Sequence, residues 1–366
     1  MAHSRKKRKP SWLIRLLTGA ALVTVMLLWL SAYSAHLYPP QHTLLPLFGL
    51  MFPFFLIGTC LFIPIWYFLE RKRLLIPIIG LIVCIGDIRT YCPINLPNVH
   101  PKNALKVLSF NTMSFGLLEC DSFGQIKALE YLLHSDADII CYQEGYPLKQ
   151  KPYWPQLKKH IHEVYPHTHQ YQIPGTENVL GIFSKYPITD VQKIDYSSDI
   201  NGSIAYHLLL AQGDTLLVVN NHFQSNHLTK TDRGQYKQMI KNPENSDISE
   251  TSRLLAAKIR RGGSQRAVQV DSVAAFLDRH KGESTILVGD FNDTPISYTH
   301  RTFAKRLTDA YVASGNGPGF SFNRDGIFVR IDNIFCSSDW KPYGCHIDRS
   351  IRLSDHFPIY CYLARH

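Results

Sequence analysis

Acidic residues are scarce in the first 91 residues of this 366-residue chain. Up to Tyr91 only Glu70 and Asp87 stand against ten Lys or Arg residues, which gives a net charge of +8 and leaves only +2 of the chain's +10 for the remainder. A protein that binds nucleic acid usually carries its basic charge on the folded domain. Here the charge belongs to a hydrophobic segment, so it indicates membrane topology instead.

Cysteine spacing excludes another class of site. None of the eight cysteines forms a Cys-x-x-Cys pattern, which argues against a zinc site. Cys141 and Cys361 lie in strand-like runs, where cysteine is usually an inert core residue. Disulfide pairing among Cys92, Cys120, Cys336 and Cys345 in an oxidising compartment stays open. Inspection also shows no internal repeat, so a repeat architecture is not expected.

Charge is almost missing from two long stretches near the N-terminus. Arg15 is the only charged residue in residues 12–35, and residues 44–69 contain no charged residue at all. Each is long enough to cross a bilayer. Residues 74–90 form a shorter apolar stretch that ends with Asp87 and Arg89. We therefore predict a membrane anchor over residues 1–91 with about three transmembrane helices, at 12–35, 44–69 and 74–90.

Two alternatives accompany this anchor. A basic tip before an apolar run also describes a cleaved signal peptide, although the length of the run and the second run favour an uncleaved helix. The third stretch has the alternative of an interfacial or re-entrant piece. The basic clusters Arg5–Lys9 and Arg71–Arg73 place both of their segments in the cytoplasm. If residues 74–90 span the membrane, everything after Tyr91 lies outside; if they do not, it is cytoplasmic.

The rest of the chain has the texture of a soluble α/β domain. Residues 92–105 contain three prolines and are predicted to form a linker. Residues 106–366 contain strand-like runs, some separated by long helices and others paired as in hairpins. Residues 227–263 look like a polar insertion, and residues 265–280 have helical spacing of apolar side chains. This pattern predicts two packed sheets flanked by helices.

Polar side chains stand at the ends of these predicted strands. The run Ile286–Gly289 leads into Asp290-Phe291-Asn292, and alternation on an extended chain would put Asp290 and Asn292 on one face. An ordinary Asp/Asn turn is the alternative at any single strand end. Such a convergence is what a metal-assisted phosphoester hydrolase needs. The residues concerned are Asn111, Glu144, Asn220 with His222, Asp290 with Asn292, Asp332 with Asn333, and Asp355 with His356.

These residues resemble the motifs of the endonuclease/exonuclease/phosphatase superfamily, which includes deoxyribonuclease I, abasic-site endonucleases, neutral sphingomyelinases and inositol polyphosphate 5-phosphatases. The resemblance implies a four-layer α/β sandwich over residues 106–366 and a Mg²⁺ cofactor, with Mn²⁺ as the alternative. The hydrophobic N-terminus looks like that of membrane-anchored bacterial members. The matching pieces are Leu108–Asn111, Gln143-Glu144, Gly181–Ser184, Asn220–His222, Gly289–Asn292, Ile331-Asp332 and Ser354–His356.

Three residues are predicted to form the metal site. Glu144 supplies the carboxylate oxygen that a hard cation prefers, since Mg²⁺ needs only one or two protein carboxylates besides water and phosphate. Asn111 completes or orients this site, and Asp355 is a further metal or water ligand. Several nuclease-like members carry an acidic residue two positions after the Asn of the first strand, where this chain has Met113. The departure favours one metal over two.

Five residues are predicted to carry the catalytic chemistry. Asp290 positions or deprotonates the attacking water, and His356 stabilises negative charge or acts as the base; which of the two is the base stays open. Asp332 would hold the imidazole of His356 in one tautomer. His222 would donate to a phosphate oxygen or to the leaving group, and Asn292 would hold a phosphate oxygen.

The sequence thus predicts a membrane-anchored, Mg²⁺-dependent phosphoester hydrolase of the phosphodiesterase or endonuclease type. A sphingomyelinase-like or phosphoinositide-phosphatase-like lipid hydrolase is one alternative, and a non-catalytic membrane-bound binding module is another. The expected partners are the lipid bilayer and a phosphoester substrate, whether nucleic acid, phospholipid or small phosphoester; no protein partner is inferred. The expected location is the bacterial inner membrane, with the catalytic domain in the periplasm.

Overall fold

The computed structural model describes residues 11–42, 44–226, 229–241, 248–324 and 326–365. The helices are α1 Trp12–Tyr33, α2 Phe52–Leu69, α3 Leu75–Val83, α4 Ile85–Tyr91, α5 Met113–Leu117, α6 Lys127–Leu133, α7 Trp154–Val164, α8 Lys230–Lys241, α9 Ile248–Arg279, α10 Tyr298–Ala304 and α11 Ala310–Ser314. The strands are β1 Leu105–Asn111, β2 Ile139–Gly145, β3 His167–Gln172, β4 Val179–Ser184, β5 Ile188–Lys193, β6 Gly202–Leu209, β7 Thr215–His222, β8 Thr285–Asp290, β9 Thr308–Asp309, β10 Phe322–Arg324, β11 Ile327–Val329, β12 Asp332–Cys336, β13 Trp340–Ile347 and β14 Ile359–Arg365.

Among the described residues, two N-terminal segments are long and apolar enough to cross a membrane. These are Trp12–His36, which includes α1, and Leu45–Leu69, which includes α2. A third crossing would have to use the pair Arg71–Val83 and Ile85–Tyr91, which is bent by 63°. Pro64 lies inside α2, and such a proline is better tolerated in a membrane helix than in a soluble one.

Two six-stranded sheets form the body of the soluble part. The first has the order β13-β14-β1-β2-β4-β3 and the second the order β5-β6-β7-β8-β12-β9. Each sheet contains one parallel pair, β1 with β2 and β7 with β8, among antiparallel neighbours. Both parallel pairs lie at the centre of their sheets, so the ends of four central strands are available to one site.

Three buried apolar clusters show how the layers stack. The inner faces of the two sheets share one core, which includes Ile139, Ile182, Val218 and Ile286. Helix α6 packs on the outer face of the first sheet. Helix α9 packs on the outer face of the second. Helix, sheet, sheet and helix therefore form the four-layer sandwich that the sequence predicts.

Several element boundaries differ from the sequence prediction. The predicted insertion and the following helix are largely one continuous helix, α9, of 32 residues. Residues 227–228 and 242–247 of that insertion lie outside the described part. A single predicted strand over residues 329–335 is broken into β11 and β12. The strands β3 and β5 lie at sheet edges, where polar residues on both faces hide the alternation that predicts a strand.

The N-terminal helices pack directly against the sandwich. Ile296, from the loop after β8, is buried in one cluster with Leu28 and Phe52 of the helices. A Cβ atom on Gly49 would lie 2.3 Å from the carbonyl oxygen of Ile296, so only glycine permits this approach. The guanidinium of the fully buried Arg330 donates to the carbonyl oxygen of Thr90 in α4. Asn95 in the predicted linker also donates to the carbonyl oxygens of Val312 and Gly315, so this segment contacts the sandwich while it joins two parts that are themselves in contact.

Candidate active site

Three of the predicted residues lie in one row across the second sheet. Strand β8 ends at Asp290, which is in register with His222 on its parallel neighbour β7 and with Asp332 on its antiparallel neighbour β12. Adjacent strands are about 4.8 Å apart. The register therefore fixes an imidazole on one side of Asp290 and a second carboxylate on the other.

Two residues of the first sheet reach this row. The fully buried Asn111, at the end of β1, donates from Nδ2 to Oε1 of Glu144 and to Oδ2 of Asp290, both at 3.0 Å. Its Oδ1 accepts a hydrogen bond from the backbone N–H of Met113. Asn111 thus links a carboxylate from each sheet across the middle of the sandwich.

Backbone geometry at the site departs from regular strands. Glu144 has φ 47° and lies where the β2–β4 register shifts, so a bulge turns its side chain toward the site. Gly289 has φ 133°, and a Cβ atom there would lie 2.0 Å from the carbonyl oxygen of Asn221. Only glycine therefore lets β7 and β8 approach closely enough. Glu144 is not a glycine, so its positive φ is strained, and strained backbone of this kind is typical of functional sites.

Asn292 reaches Asp290 through a turn, not through strand alternation. Strand β8 ends at Asp290, and Asn292 has φ 51°. The backbone N–H of Asn292 donates to Oδ1 of Asp290 at 2.8 Å, and its Nδ2 donates to Oδ2 at 3.2 Å and to the carbonyl oxygen of Phe223 at 2.9 Å. The proximity expected from the sequence is present, but the alternation argument for it is wrong.

His356 is held between two carboxylates. Its Nδ1 lies 2.9 Å from Oδ2 of Asp332, and its Nε2 lies 3.6 Å from Oδ2 of Asp290. The hydroxyl of Ser354 accepts from the His356 backbone N–H and donates to the carbonyl oxygen of Asn111. This turn ties the C-terminal motif to the end of β1 and fixes where the imidazole points.

Burial and neighbouring charges set the protonation states of His356 and Asp290. Burial by itself would lower the pKa of His356, but Asp332 and Asp290 outweigh it and raise that pKa to about 10. Burial is the main cause that raises the pKa of Asp290, to about 6, although His356 opposes the shift. Between these values the imidazole is charged and the carboxylate is ionised. His356 is then suited to stabilise negative charge and Asp290 to accept a proton.

His222 completes the row on the other side. Its Nε2 lies 3.4 Å from Oε1 of Glu144 and 3.9 Å from Oδ2 of Asp290, and its side chain is only 5% exposed. Its Nδ1 lies 3.5 Å from Nδ2 of Asn178, a residue that the sequence analysis did not single out. Asn178 is the last loop residue before β4 and belongs to no recognised motif.

Three groups of side chains offer ligand atoms close enough to hold a metal ion in the described part of the chain. Glu144, His222 and Asp290 form one group; Asp290, Asp332 and His356 form the second. Oδ1 of Asp332 is buried without a hydrogen-bond partner among the described residues. The carboxylate oxygens of Glu144 and Asp290 in the first group fit a hard divalent cation. The third group, His207, His280 and Glu283, lies elsewhere on the second sheet.

Asp355 has a different partner from the other predicted ligands. Its Oδ2 lies 2.6 Å from Nη1 of Arg324 on the short hairpin β10–β11, and it belongs to none of the three metal groups found among the described residues. A metal role for Asp355 therefore stays a prediction. The same hairpin covers His356, because the ring of Phe322 packs edge-on against the imidazole at 5.1 Å. Sequence inspection missed Arg324 because three-residue strands leave no periodic signal.

Asn220 has a structural position that its sequence context did not reveal. Its Nδ2 donates to the carbonyl oxygens of Tyr142 and Gly181 in the first sheet, and its Oδ1 accepts from Gln143 at 2.7 Å. Asn220 therefore fastens the two sheets together beneath the site. The adjacent His222 is the residue of that motif which faces the cluster.

A carboxylate–imidazole cluster at the end of a two-sheet sandwich defines a class of phosphoester-hydrolysing enzymes. The family model of the Endonuclease/Exonuclease/phosphatase family matches residues 108–356, and this chain belongs to that family. A model of a domain of unknown function (DUF8431) matches residues 14–91. No curated protein matches the chain.

Solved structures resemble this chain at low identity. The human Nocturnin catalytic domain with bound sulfate is 16% identical, with a TM-score of 0.51 over 73% of this chain and 97% of that one. TDP2 of D. rerio, complexed with a single-strand DNA product, is 14% identical, with a TM-score of 0.48 over 72% of this chain and 100% of that one. An endonuclease/exonuclease/phosphatase from Beutenbergia cavernae is 15% identical, with a TM-score of 0.48 over 71% of each chain.

The family match confirms the class of reaction, and the likeness to the Nocturnin structure confirms the fold. The chain is an enzyme that hydrolyses phosphoester bonds, and members of its family are generally dependent on a divalent metal. The described residues include clusters that fit such a metal. The N-terminal helices are apolar enough for membrane association.

Proposed function

We propose that this protein is a membrane-anchored phosphodiesterase that uses Mg²⁺, with Mn²⁺ as the alternative ion. The observation that carries the proposal is the unbroken chain of contacts from Glu144 through Asn111 and Asp290 to His356 and Asp332. It joins a cation site to a proton-transfer site within one buried cluster. A non-catalytic binding module would not need both.

Glu144 and Asn111 would hold the cation, with Asp355 as a further ligand. The carboxylate of Glu144 is 39% exposed, so water and a phosphate oxygen have access beside it. When bound, a divalent cation supplies Lewis-acid stabilisation of the phosphate charge. Met113, at the position where some members carry an acid, offers a thioether near Arg324 and no carboxylate. This favours a single-ion site.

Asp290 and His356 share the hydrolytic step in this proposal. The oxygen of a water molecule bonds to phosphorus as the ester P–O bond breaks, and the water proton passes to Asp290 while the leaving oxygen gains a proton from its surroundings. The charged imidazole of His356 stabilises the negative charge on the phosphoryl oxygens. Asp332 holds Nδ1 of that imidazole at 2.9 Å, which keeps Nε2 directed at Asp290.

His222 and Asn292 are the candidate phosphate contacts. Both lie beside Asp290, and His222 is also beside Glu144. A side chain in that position is suited to donate to the leaving oxygen or to a non-bridging phosphate oxygen. The proposal thus places His356, His222 and Asn292 on the reacting phosphate and leaves Asp290 for the attacking water.

Contacts along α1 support three membrane crossings. Arg73 donates to Thr18 Oγ1 at 2.7 Å, the Trp29 indole donates to the carbonyl oxygen of Gly80 at 3.2 Å, and Tyr91 packs against the cluster that contains Ala32. Residues 73–91 therefore run beside α1 from Thr18 to its C-terminal end. The bent pair α3–α4 thus lies along most of α1.

The same contacts support a catalytic domain outside the cytoplasm. The sandwich packs on Gly49, in the connection between α1 and α2, while Arg71–Arg73 lie at the opposite end of the helices. Basic residues mark the cytoplasmic side. We therefore propose the bacterial inner membrane with a periplasmic enzyme. Alkaline phosphatase fused after Asn103 should be active, and a fluorescent protein there should stay dark; the reverse result would mean two spans and a cytoplasmic enzyme.

The catalytic proposal is tested with the full chain in detergent and bis(4-nitrophenyl) phosphate as substrate. We expect turnover with Mg²⁺ or Mn²⁺ that stops with EDTA and returns when the ion is restored. Asp290→Asn should lose the activity, whereas Asp195→Asn, at a carboxylate that is 90% exposed, is the matched control. Turnover that is equal with EDTA, or equal in both variants, would contradict the proposal.

A further inference from the structure

The catalytic residues line a cleft that is far larger than a phosphate group requires. Glu144, Asp290 and His356 form part of its wall, and its volume is about 1100 Å³. Pockets for whole small molecules span roughly 300–1,000 Å³. The cleft therefore holds a substrate with a substantial part beyond the reacting phosphate.

A second wall of the cleft belongs to a candidate membrane span. Pro46, Leu47, Leu50, Met51 and Phe54 line the cleft, and all of them lie within the span Leu45–Leu69. The side chains of Met51 and Phe54 are 42% and 61% exposed. The space above the catalytic cluster is thus continuous with apolar side chains that would face the lipid.

The remaining walls are also largely apolar. Leu255 and Ile259 of α9 face the cleft from one side, and Phe322, Ile327 and Phe328 of the β10–β11 hairpin face it from another. Phe328 is 51% exposed. Exposed apolar walls next to a charged cluster match a molecule with a charged head and an apolar tail.

We propose that the substrate is a phosphoester lipid taken from the surrounding bilayer. Its phosphate lies at the Glu144–Asp290–His356 cluster, and its tail lies along the wall formed by Leu50, Met51 and Phe54. The inference rests on the proposed phosphodiesterase function and names its substrate class.

The charge balance of the cleft argues against a nucleic acid. The charged side chains that line it are four arginines, the charged imidazole of His356 and five carboxylates, so the protein offers no excess of positive charge along its length. A polyanion needs such an excess to neutralise successive phosphates. One lipid phosphate needs only the catalytic cluster with its cation. Because one wall of the cleft belongs to a candidate membrane span, a long DNA duplex in the cleft would also run against the bilayer surface.

Tail recognition is measured with two chromogenic diesters that differ only in the alkyl chain. Hexadecyl 4-nitrophenyl phosphate and methyl 4-nitrophenyl phosphate both react with water to give 4-nitrophenolate and the alkyl phosphate. The full chain is reconstituted in phosphatidylcholine nanodiscs with Mg²⁺. The readout is the ratio of kcat/KM for the hexadecyl ester to kcat/KM for the methyl ester. A ratio within one membrane system cancels differences in the amount of active enzyme.

The cleft variant Met51→Gln/Phe54→Gln is compared with Ile57→Gln/Phe68→Gln. Ile57 and Phe68 are 59% and 82% exposed in the same candidate span, Leu45–Leu69, but do not line the cleft. Loss of two apolar contacts should lower the ratio at least about tenfold in the cleft variant. The control variant should keep the wild-type ratio, because partitioning into the membrane affects both variants alike.

Three results would overturn the lipid assignment. The first is a ratio that is equal in the cleft and control variants. The second is a wild-type enzyme that hydrolyses the methyl ester as efficiently as the hexadecyl ester. The third is cleavage of single-stranded or duplex DNA with a higher kcat/KM than that of the hexadecyl ester. Failure to hydrolyse either ester would instead contradict the proposed phosphodiesterase function on which the assignment rests.

Discussion

Two buried histidine–aspartate pairs are hydrogen-bonded in the described part of the chain, and they differ in what surrounds the aspartate. His300 Nε2 lies 2.6 Å from Oδ2 of Asp309, much as His356 Nδ1 lies 2.9 Å from Oδ2 of Asp332. The other oxygen of Asp309 accepts from the backbone N–H groups of Tyr311 and Val312, the start of α11. The other oxygen of Asp332 has no partner among the described residues.

The surroundings of each imidazole make the same distinction. Nε2 of His356 faces a further carboxylate, Asp290, at the wall of the cleft. The ring of His300 packs against Phe335 with centroids 5.2 Å apart, and His300 does not line the cleft. A pair whose carboxylate is fully hydrogen-bonded within the fold and lies away from the cleft serves stability. A pair with an unpaired carboxylate oxygen, whose imidazole lines the cleft, is available for chemistry.

The largest expected effect separates the two histidines by activity. His356→Ala removes the charge that faces the reacting phosphate, so kcat for bis(4-nitrophenyl) phosphate should fall at least ~100-fold with the fold intact by circular dichroism. Asp290→Asn should show a similar loss. His300→Ala, assayed per folded molecule, should keep activity near the wild-type value. Equal losses at both histidines would remove the distinction.

A smaller effect concerns the pH dependence of the catalytic pair. The charged form of His356 is lost as the pH rises through its pKa of about 10. The pH–rate profile should therefore have an alkaline limb there. Asp332→Asn removes a carboxylate that raises this pKa, so the limb should move to lower pH. The measurement is kcat from about pH 6 to pH 11. An alkaline limb that does not move would show that Asp332 does not act through His356.

An Asp→Asn substitution in the His300–Asp309 pair should lower the stability of the fold and leave kcat unchanged. Burial tends to raise the pKa of Asp309, but the hydrogen bond from His300 and the neighbouring charges outweigh it and lower that pKa. Its stabilising contribution is therefore present above the ordinary carboxyl pKa and is lost as the pH falls below it. Asp309→Asn should lower the free energy of unfolding by about 3 kcal/mol at neutral pH.

This loss should shrink in acid, where the wild-type carboxylate also becomes protonated. Chemical denaturation of both proteins at neutral pH and below about pH 4 measures the difference. A constant difference across that range would mean that the ionised carboxylate is not what stabilises this region. Asp332→Asn, measured in the same way, serves as the comparison.

Strand ends carried most of the catalytic prediction. Asp290 and His222 end strands, Asp332 begins one, and strand register places the three side by side. Asn292 was reached from an alternation that does not exist, because its φ of 51° belongs to a turn. The position of Glu144 depends on a bulge that leaves no mark in the composition of β2.

Other features depend on contacts between distant parts of the chain. The approach of Gly49 to Ile296 joins a helical connection to a loop nearly 250 residues later, and no local pattern predicts it. The cleft wall that this contact creates was therefore invisible in the sequence. His300 and Asp309 show the opposite problem, because nothing in their local sequence distinguishes them from a catalytic pair.

The most direct test concerns the cation that Glu144 is proposed to hold. The full chain is titrated with Mg²⁺ while hydrolysis of bis(4-nitrophenyl) phosphate is followed, for the wild type, Glu144→Gln and Glu283→Gln. Glu283 belongs to the His207–His280–Glu283 group and is the matched control. Glu144→Gln keeps the shape but removes a ligand charge, so the half-saturating Mg²⁺ concentration should rise at least about tenfold. Glu283→Gln should leave it unchanged. An unchanged value in Glu144→Gln would contradict the central claim that this strand-end cluster holds the catalytic cation.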